Sequence, residues 1–494
     1  MVPEDRRPPR SVLAAAALLW LAPAVYATWR LGAKSFDDFY ITYRYAWNLA
    51  AGHGFVFNPG QRVFGTTAPG FGLLLALLTR LTAIPIPWLG TLATTVALPG
   101  IALLALRDSR DRWPEALAAG SLLVTCHYIW VQHGSEVPFT LFLLLAAAAL
   151  AERHPGLSGL TAGLTAGCAV WCRPDALLGA GILGLLLWGE RRRLPWRYGA
   201  ALGAVVAAGL ISARLWFGQL LPHTLEAKRA QAAALRAAWK AGWAFWPEAL
   251  AQINQLYAGD RALLLLLIGG LGLAAVAWRG GRTLRLLAAN AAALALAYPL
   301  LGVPAYTWYM IPVVAAAFYG VCFLAGEIGR RLAALLPLPE PARRTSALLA
   351  AGLAFLLVFT PLLTRTVKEA TRPRAFPRFT LYERTAAWIR ANSAPGDEVS
   401  YVEVGTLAYF SDRPVEDLVG LVTPRSLPFL LKNDIIGAFR DHPTAFLLHH
   451  EKLAVFTGPL LQHRWFQRRY EEVHREAMRA PGEVLVVYRR NGVP

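Results

Sequence analysis

Charge is what this 494-residue chain has least of: 16% of its residues are Asp, Glu, Lys or Arg, against 56% hydrophobic. A soluble domain carries about 25% charged residues, so one water-facing globule is excluded and most of the chain must sit in lipid. Acidic residues are the scarcer sign, 31 against 49 basic, for a formal net charge of +18. The arginines fall in short clusters between apolar runs rather than along one polar face, which reads as membrane orientation and not as a nucleic-acid surface. Cysteine is nearly absent: Cys126, Cys168, Cys172 and Cys322 all lie in apolar runs, with no disulfide framework, no zinc set and, in "CAVWC", no redox spacing. No G-x-x-x-x-G-K-[ST] or dinucleotide fingerprint occurs, which argues against a nucleotide-sugar donor or an ATP-driven pump.

What the chain does have is long apolar runs. The first, after "MVPEDRRPPR", is long enough to cross the hydrocarbon core and too long for a signal-peptide core, so it reads as an uncleaved first span. Basic loops mark the cytoplasmic side. They are "RRPPR", "RDSRDR" from Arg107, "ERRRLPWR" from Glu190, "RGGRTLR" from Arg279, and the linker with Arg330, Arg331, Arg343 and Arg344. Placing all five inside requires residues 70–85, short and bounded by prolines, to form a re-entrant or interfacial helix rather than a span. About eleven crossings result, near 11–31, 88–106, 116–132, 138–151, 157–172, 175–189, 198–216, 261–278, 283–301, 308–325 and 345–364. The amino terminus is then cytoplasmic and the carboxyl terminus outside.

After Arg365 the composition changes. "LYERTAAWIRAN" has helical periodicity, "APGD" is a turn, and "EVSYVEV", "TAFLLHH" and "EVLVVYRR" read as strands. The expected organisation is an α-helical polytopic membrane domain, residues 1–364, and an extracytoplasmic α/β domain, residues 365–494.

This threading gathers on the outer face the acid pair Asp37–Asp38, Glu136 in "HGSEVP", a long loop from Phe217 to Asp260 carrying Lys228, Arg229, Arg236 and Lys240, and everything after Arg365. Unpaired charges beside a low-dielectric region are costly, so Asp37 and Asp38 require a cation, a metal or a substrate. The bland alternative is a solvated loop with acids at a helix start. Arg173 and Asp175 flank a short outer turn and are expected to pair with each other, and Trp308 and Tyr309 read as interfacial aromatics.

The stretch "DDFYITYRYAWNLAAGHGFVFNPGQRVFGTTAPGF" from Asp37 resembles the first outer loop of bacterial GT-C glycosyltransferases, above all the branch with the mycobacterial arabinofuranosyltransferases. "HGSEVPF", "CRPDALL", "LPHTLEAK", "YTWYMIP" and "GTLAYFSDRPVEDLVGLVTP" resemble further elements of that family, in order, as far as Pro424. His223, Thr307, Gln61 and Phe64 depart from its pattern, standing where asparagine, a basic residue and acidic residues are expected. The resemblance implies a GT-C fold and a transferase moving a sugar, pentose or hexose, from a polyprenyl-phosphate donor to a hydroxyl of a glycan, glycolipid or protein acceptor, at the outer face of the bacterial cytoplasmic membrane.

Under that reading Asp37 is expected as general base, with Asp38 as orienting partner or metal ligand, since a carboxylate whose pKa is lifted by its surroundings suits the task. Lys228, with Arg229 and His223, is expected to bind the donor phosphate; the bland reading is an amphipathic helix on lipid headgroups. Glu136 would complete an acidic cluster able to hold Mg²⁺ or Mn²⁺, or contact substrate, and Tyr309 is a candidate for sugar stacking. A single base and no nucleophile pair imply inversion. The rivals are a protein O-glycosyltransferase of the same superfamily and, more distantly, a lipid flippase or transporter with the acid pair as its coupling site.

Overall fold

All eleven stretches expected to span contain a helix in the computed structural model, which describes residues 8–151, 158–234, 240–257, 261–335, 339–371, 377–479 and 482–492. Among the described residues, seven helices are long and apolar enough to cross a membrane, including α1 (Arg10–Leu31) and α4 (Ile86–Arg107). The helix Trp196–Phe217 packs along one side on the helix Ser158–Cys172 and is otherwise mostly exposed, whereas α4 and the helix Ile311–Ala334 are largely enclosed. The expected span at 116–132 is interrupted. Its helix, α5 (Trp113–Thr125), stops where Cys126 turns extended, and the Trp130 indole N–H donates to the Val124 carbonyl at 2.6 Å, folding the following turn back on the helix end.

The two ends of the bundle differ in chemistry. At one, Arg112 pairs with Glu327 (3.0 Å) and Glu115 (3.6 Å), Arg279 with Glu327 (3.6 Å), and Arg330 with Glu115. Asp108 accepts the Thr283 N–H at 2.6 Å there, capping the helix Arg282–Leu301. The basic loops after Arg107 and Arg279 and the stretch at Arg330 therefore share one end, as the charge pattern requires.

The other end carries two helices that do not span. Helix α2 (Asp37–Ala50) opens with two acids, favourable at a helix amino terminus, and is buried on nearly all sides by protein. Helix α3 (Pro69–Thr82) has 14 residues, about 21 Å at 1.5 Å per residue, short of the ~30 Å hydrocarbon core. Leu73, Leu77 and Leu81 are exposed along one of its faces, an apolar stripe suited to a membrane surface.

Beyond the last long helix, Glu340–Thr371, lies a small α/β domain whose sheet has the order β2-β1-β3-β5-β4. Strand β1 (Val399–Tyr401) runs parallel to β2 (Val415–Asp417) and β3 (Phe446–His450), and β5 (Val484–Arg490) runs antiparallel to β3 and β4 (Tyr470–Ala477). Every residue of β3 is buried, as a central strand demands.

The C-terminal domain is sewn to the helical domain by side chains from the stretch beginning at Asp37. Arg44, itself buried, donates to Asp412 at 2.6 Å. Asn58 behaves like an extra strand residue at the sheet edge, exchanging two hydrogen bonds of 3.0 Å with the backbone of Val415. Asp417 accepts the N–H groups of Val419 (2.9 Å), Leu421 (2.5 Å) and Val422 (3.1 Å), shaping a loop whose Leu421 carbonyl lies so close to Gly65 that a Cβ there would meet it at 2.8 Å. Only glycine fits at 65.

Candidate functional site

Between α2, the helix Thr224–Ala234, the turn Thr307–Met310 and the Asp417 loop lies a narrow cleft. Asp38, Thr66, Glu136, Thr224, Lys228, Trp308 and Leu421 line it. It therefore draws on both domains.

Asp38, Glu136 and Lys228 are the charged side chains that line the cleft. Burial pushes the Asp38 carboxyl up to about 6; Lys228 opposes that rise, while Asp37 and Glu136 add to it. Lys228 is buried, its Nζ donating to the Tyr309 hydroxyl at 3.0 Å and lying 4.7 Å from the centre of the Tyr306 ring and 5.3 Å from that of Tyr309. Two aromatic faces thus flank the ammonium. Tyr309 in turn stacks on Tyr298 at 4.3 Å, and Tyr306 on Trp308 at 4.7 Å.

A second layer fixes the first. The Tyr298 hydroxyl donates to Asp175 at 2.7 Å, and Arg173 bonds both Asp175 and Glu136 at 2.6 Å. The expected pairing of Arg173 with Asp175 is present, and it takes in Glu136 as well. Glu136 reaches the cleft already neutralised, which removes it from an acidic cluster: among the described residues no three Asp, Glu, His or Cys side chains converge to hold a metal ion.

The acid pair divides differently from the expectation that Asp37 faces the reaction. Asp37 does not line the cleft; its two carboxylate oxygens accept the N–H groups of Gly405 (2.9 Å) and Thr406 (2.7 Å) in the C-terminal domain. Successive residues of a helix point about 100° apart, and that rotation delivers Asp38 to the cleft. Arg229 is exposed and donates from Nε to the Leu301 carbonyl at 2.8 Å, outside the cleft. His223 is buried with Nε2 at 3.2 Å from the Gly420 carbonyl, tying its loop to the C-terminal domain, and it does not line the cleft; burial lowers its pKa. Trp308 and Tyr309 are buried parts of the site, not interfacial aromatics. Arg236 lies outside the described residues. Tyr306, Thr66, Thr224 and Leu421 were not singled out from the sequence, although each stands within a stretch that was; neither hydroxyls nor single apolar residues announce themselves without a fold.

Two crystal structures of ArnT from Cupriavidus metallidurans superpose along nearly the whole chain. The one bound to undecaprenyl phosphate matches with a TM-score of 0.57 at 14% identity, covering 96% of this chain and 98% of that one. The apo structure gives 0.53 at the same identity and coverage. The chain has a GT-C-type fold. Residues 371–488 match a family model described as a domain of unknown function (DUF8728). No curated protein sequence matches it significantly.

Proposed function

We propose that the protein is a membrane glycosyltransferase that moves a sugar from a polyprenyl-phosphate donor to an acceptor hydroxyl, with Asp38 as general base and Lys228 as the cation for the leaving phosphate. The observation that carries this reading is the pair itself: one carboxylate and one buried ammonium lining the same cleft at the end of the bundle opposite the arginine cluster. The ArnT fold, found bound to undecaprenyl phosphate, supports the lipid carrier.

The acceptor hydroxyl attacks the anomeric carbon, its proton passes to an Asp38 oxygen, and the bond from that carbon to the phosphate oxygen breaks on the opposite face, inverting the centre. Polyprenyl phosphate departs with one more negative charge, which the Lys228 ammonium meets at the moment it develops. Burial of that ammonium strengthens the interaction. Sequence resemblance extends the proposal to the arabinofuranosyltransferase branch, a pentose donor and a cell-envelope glycan or glycolipid acceptor. The active face would then be extracytoplasmic, in a bacterial cytoplasmic membrane.

The test is transfer by the purified protein in lipid vesicles, with undecaprenyl-phosphate-linked sugars as donors and release of undecaprenyl phosphate as readout. Asp38→Asn is expected to lower turnover by about 10² to 10⁴, the usual contribution of a general base, with donor binding retained. Near-normal turnover by a folded Asp38→Asn protein rules the assignment out.

A further inference from the structure

The mechanism above leaves Asp37, a half-buried acid beside the cleft, without a reaction role. Asp37 adjoins the proposed base, yet both its oxygens are committed to amides of a domain that begins more than three hundred residues later in the chain. Those amides belong to the first turn of the helix Gly405–Ser411, whose leading N–H groups have no partner within the helix. The approach is as close as backbones allow. A Cβ on Gly405 would lie 2.0 Å from the Asp37 carbonyl oxygen and 2.9 Å from the Ile41 nitrogen, so that helix rests directly on the first turn of α2.

We propose that Asp37 is a positioning residue: by capping the Gly405–Ser411 helix it locks the C-terminal domain onto α2, and this lock sets the direction in which Asp38 enters the cleft. The inference rests on the reading of Asp38 as base. Its physical basis is the rigidity of a helical turn. Fixing the Asp37 side chain against two amides fixes the rotation of α2 about its axis, and Asp38, one residue on, has no other orientation available. Arg44 with Asp412 and Asn58 with Val415 hold the same interface further along, so the domain stays attached when Asp37 is changed. The lock governs geometry rather than assembly.

The experiment pairs changes on the two sides of the contact. Asp37→Asn keeps the volume but turns an N–H toward an N–H donor. Thr406→Pro deletes one donor at a helix position that tolerates proline, and Gly405→Ala wedges the two backbones apart without removing any donor. Turnover and donor KM are measured for each, for Asp37→Asn combined with Thr406→Pro, and for Asp38→Asn, with thermal melts to confirm folding. A lock predicts that each single change lowers kcat about tenfold, the equivalent of about 1.4 kcal/mol, leaves donor KM unchanged, and that the double variant is no slower than the slower single one. Two outcomes overturn it. One is loss of all turnover in Asp37→Asn with normal turnover in Thr406→Pro and Gly405→Ala, which makes Asp37 itself the reacting acid. The other is kcat within twofold of the parent in every single variant. An active Asp38→Asn protein refutes the base assignment separately, whatever the lock variants do.

Discussion

At the scale of single residues, the cleft's chemistry is set by how Asp38 and Lys228 modify each other. A general base works ionised, so turnover is expected to rise with pH through about 6, where burial places the Asp38 carboxyl. Lys228 favours the ionised form. Lys228→Met should therefore move the acid limb of the rate profile to higher pH, and also weaken donor binding by about tenfold to a hundredfold, the worth of a charge-assisted hydrogen bond. Arg229→Ala, which touches only an exposed carbonyl, should leave both unchanged. A donor titration and a pH series on the two variants decide the matter; equal effects from both would mean that Lys228 meets only lipid headgroups. Charge next to apolar runs drew attention to the acids, but it was the resemblance of the stretch from Asp37 and of "LPHTLEAK" to GT-C glycosyltransferases that singled out the acid pair and Lys228. The sequence did not reveal which aspartate faces the cleft, since adjacent residues differ only by a helical rotation that the C-terminal domain imposes. Nor did it reveal that Trp308 and Tyr309 are buried, because an aromatic at a span's end looks the same whether lipid or protein covers it.

Among the elements, long apolar helices and the buried strands β1, β3 and β5 were legible from hydropathy, while β2 and β4 were not. Strand β2 has three residues, "VED", too few for any alternation to register, and β4, "YEEVHREA", is an edge strand with a mostly polar, accessible surface. Such strands exist because neighbours supply their hydrogen bonds, which is tertiary information. The edge of β2 gives a direct test. Asn58→Ala strips both side-chain hydrogen bonds from buried Val415 backbone groups, and is expected to destabilise the C-terminal domain by about 1–3 kcal/mol. Thermal or urea unfolding of the full-length protein in detergent measures it; an unchanged midpoint would show that the loop from Phe55 to Gly60 contributes nothing to sheet stability.

For the whole molecule, the arginine pattern and the geometry agree that three basic segments share one end of the bundle and the cleft occupies the other. Cysteines introduced at Gly60 and Gly492 should react with a membrane-impermeant maleimide on intact cells, and one at Asp111, which is exposed at the arginine end, should not. Labelling at Asp111 from outside would invert the assigned sidedness. The sheet order also carries a consequence in time. Strand β5 lies between β3 and β4, with β4 held to the sheet only through it, and the ribosome makes β5 last of the five. During synthesis the apolar helices can all be inserted while the C-terminal sheet still lacks its connecting strand, and Leu421, which walls the cleft, has no finished domain to hold it. The nascent protein would therefore pass through the membrane carrying its acids and its lysine yet inert, and acquire activity in one step on completion. Chains stopped after Met478 should accumulate in the membrane without turnover, although every residue that touches the cleft has already been made.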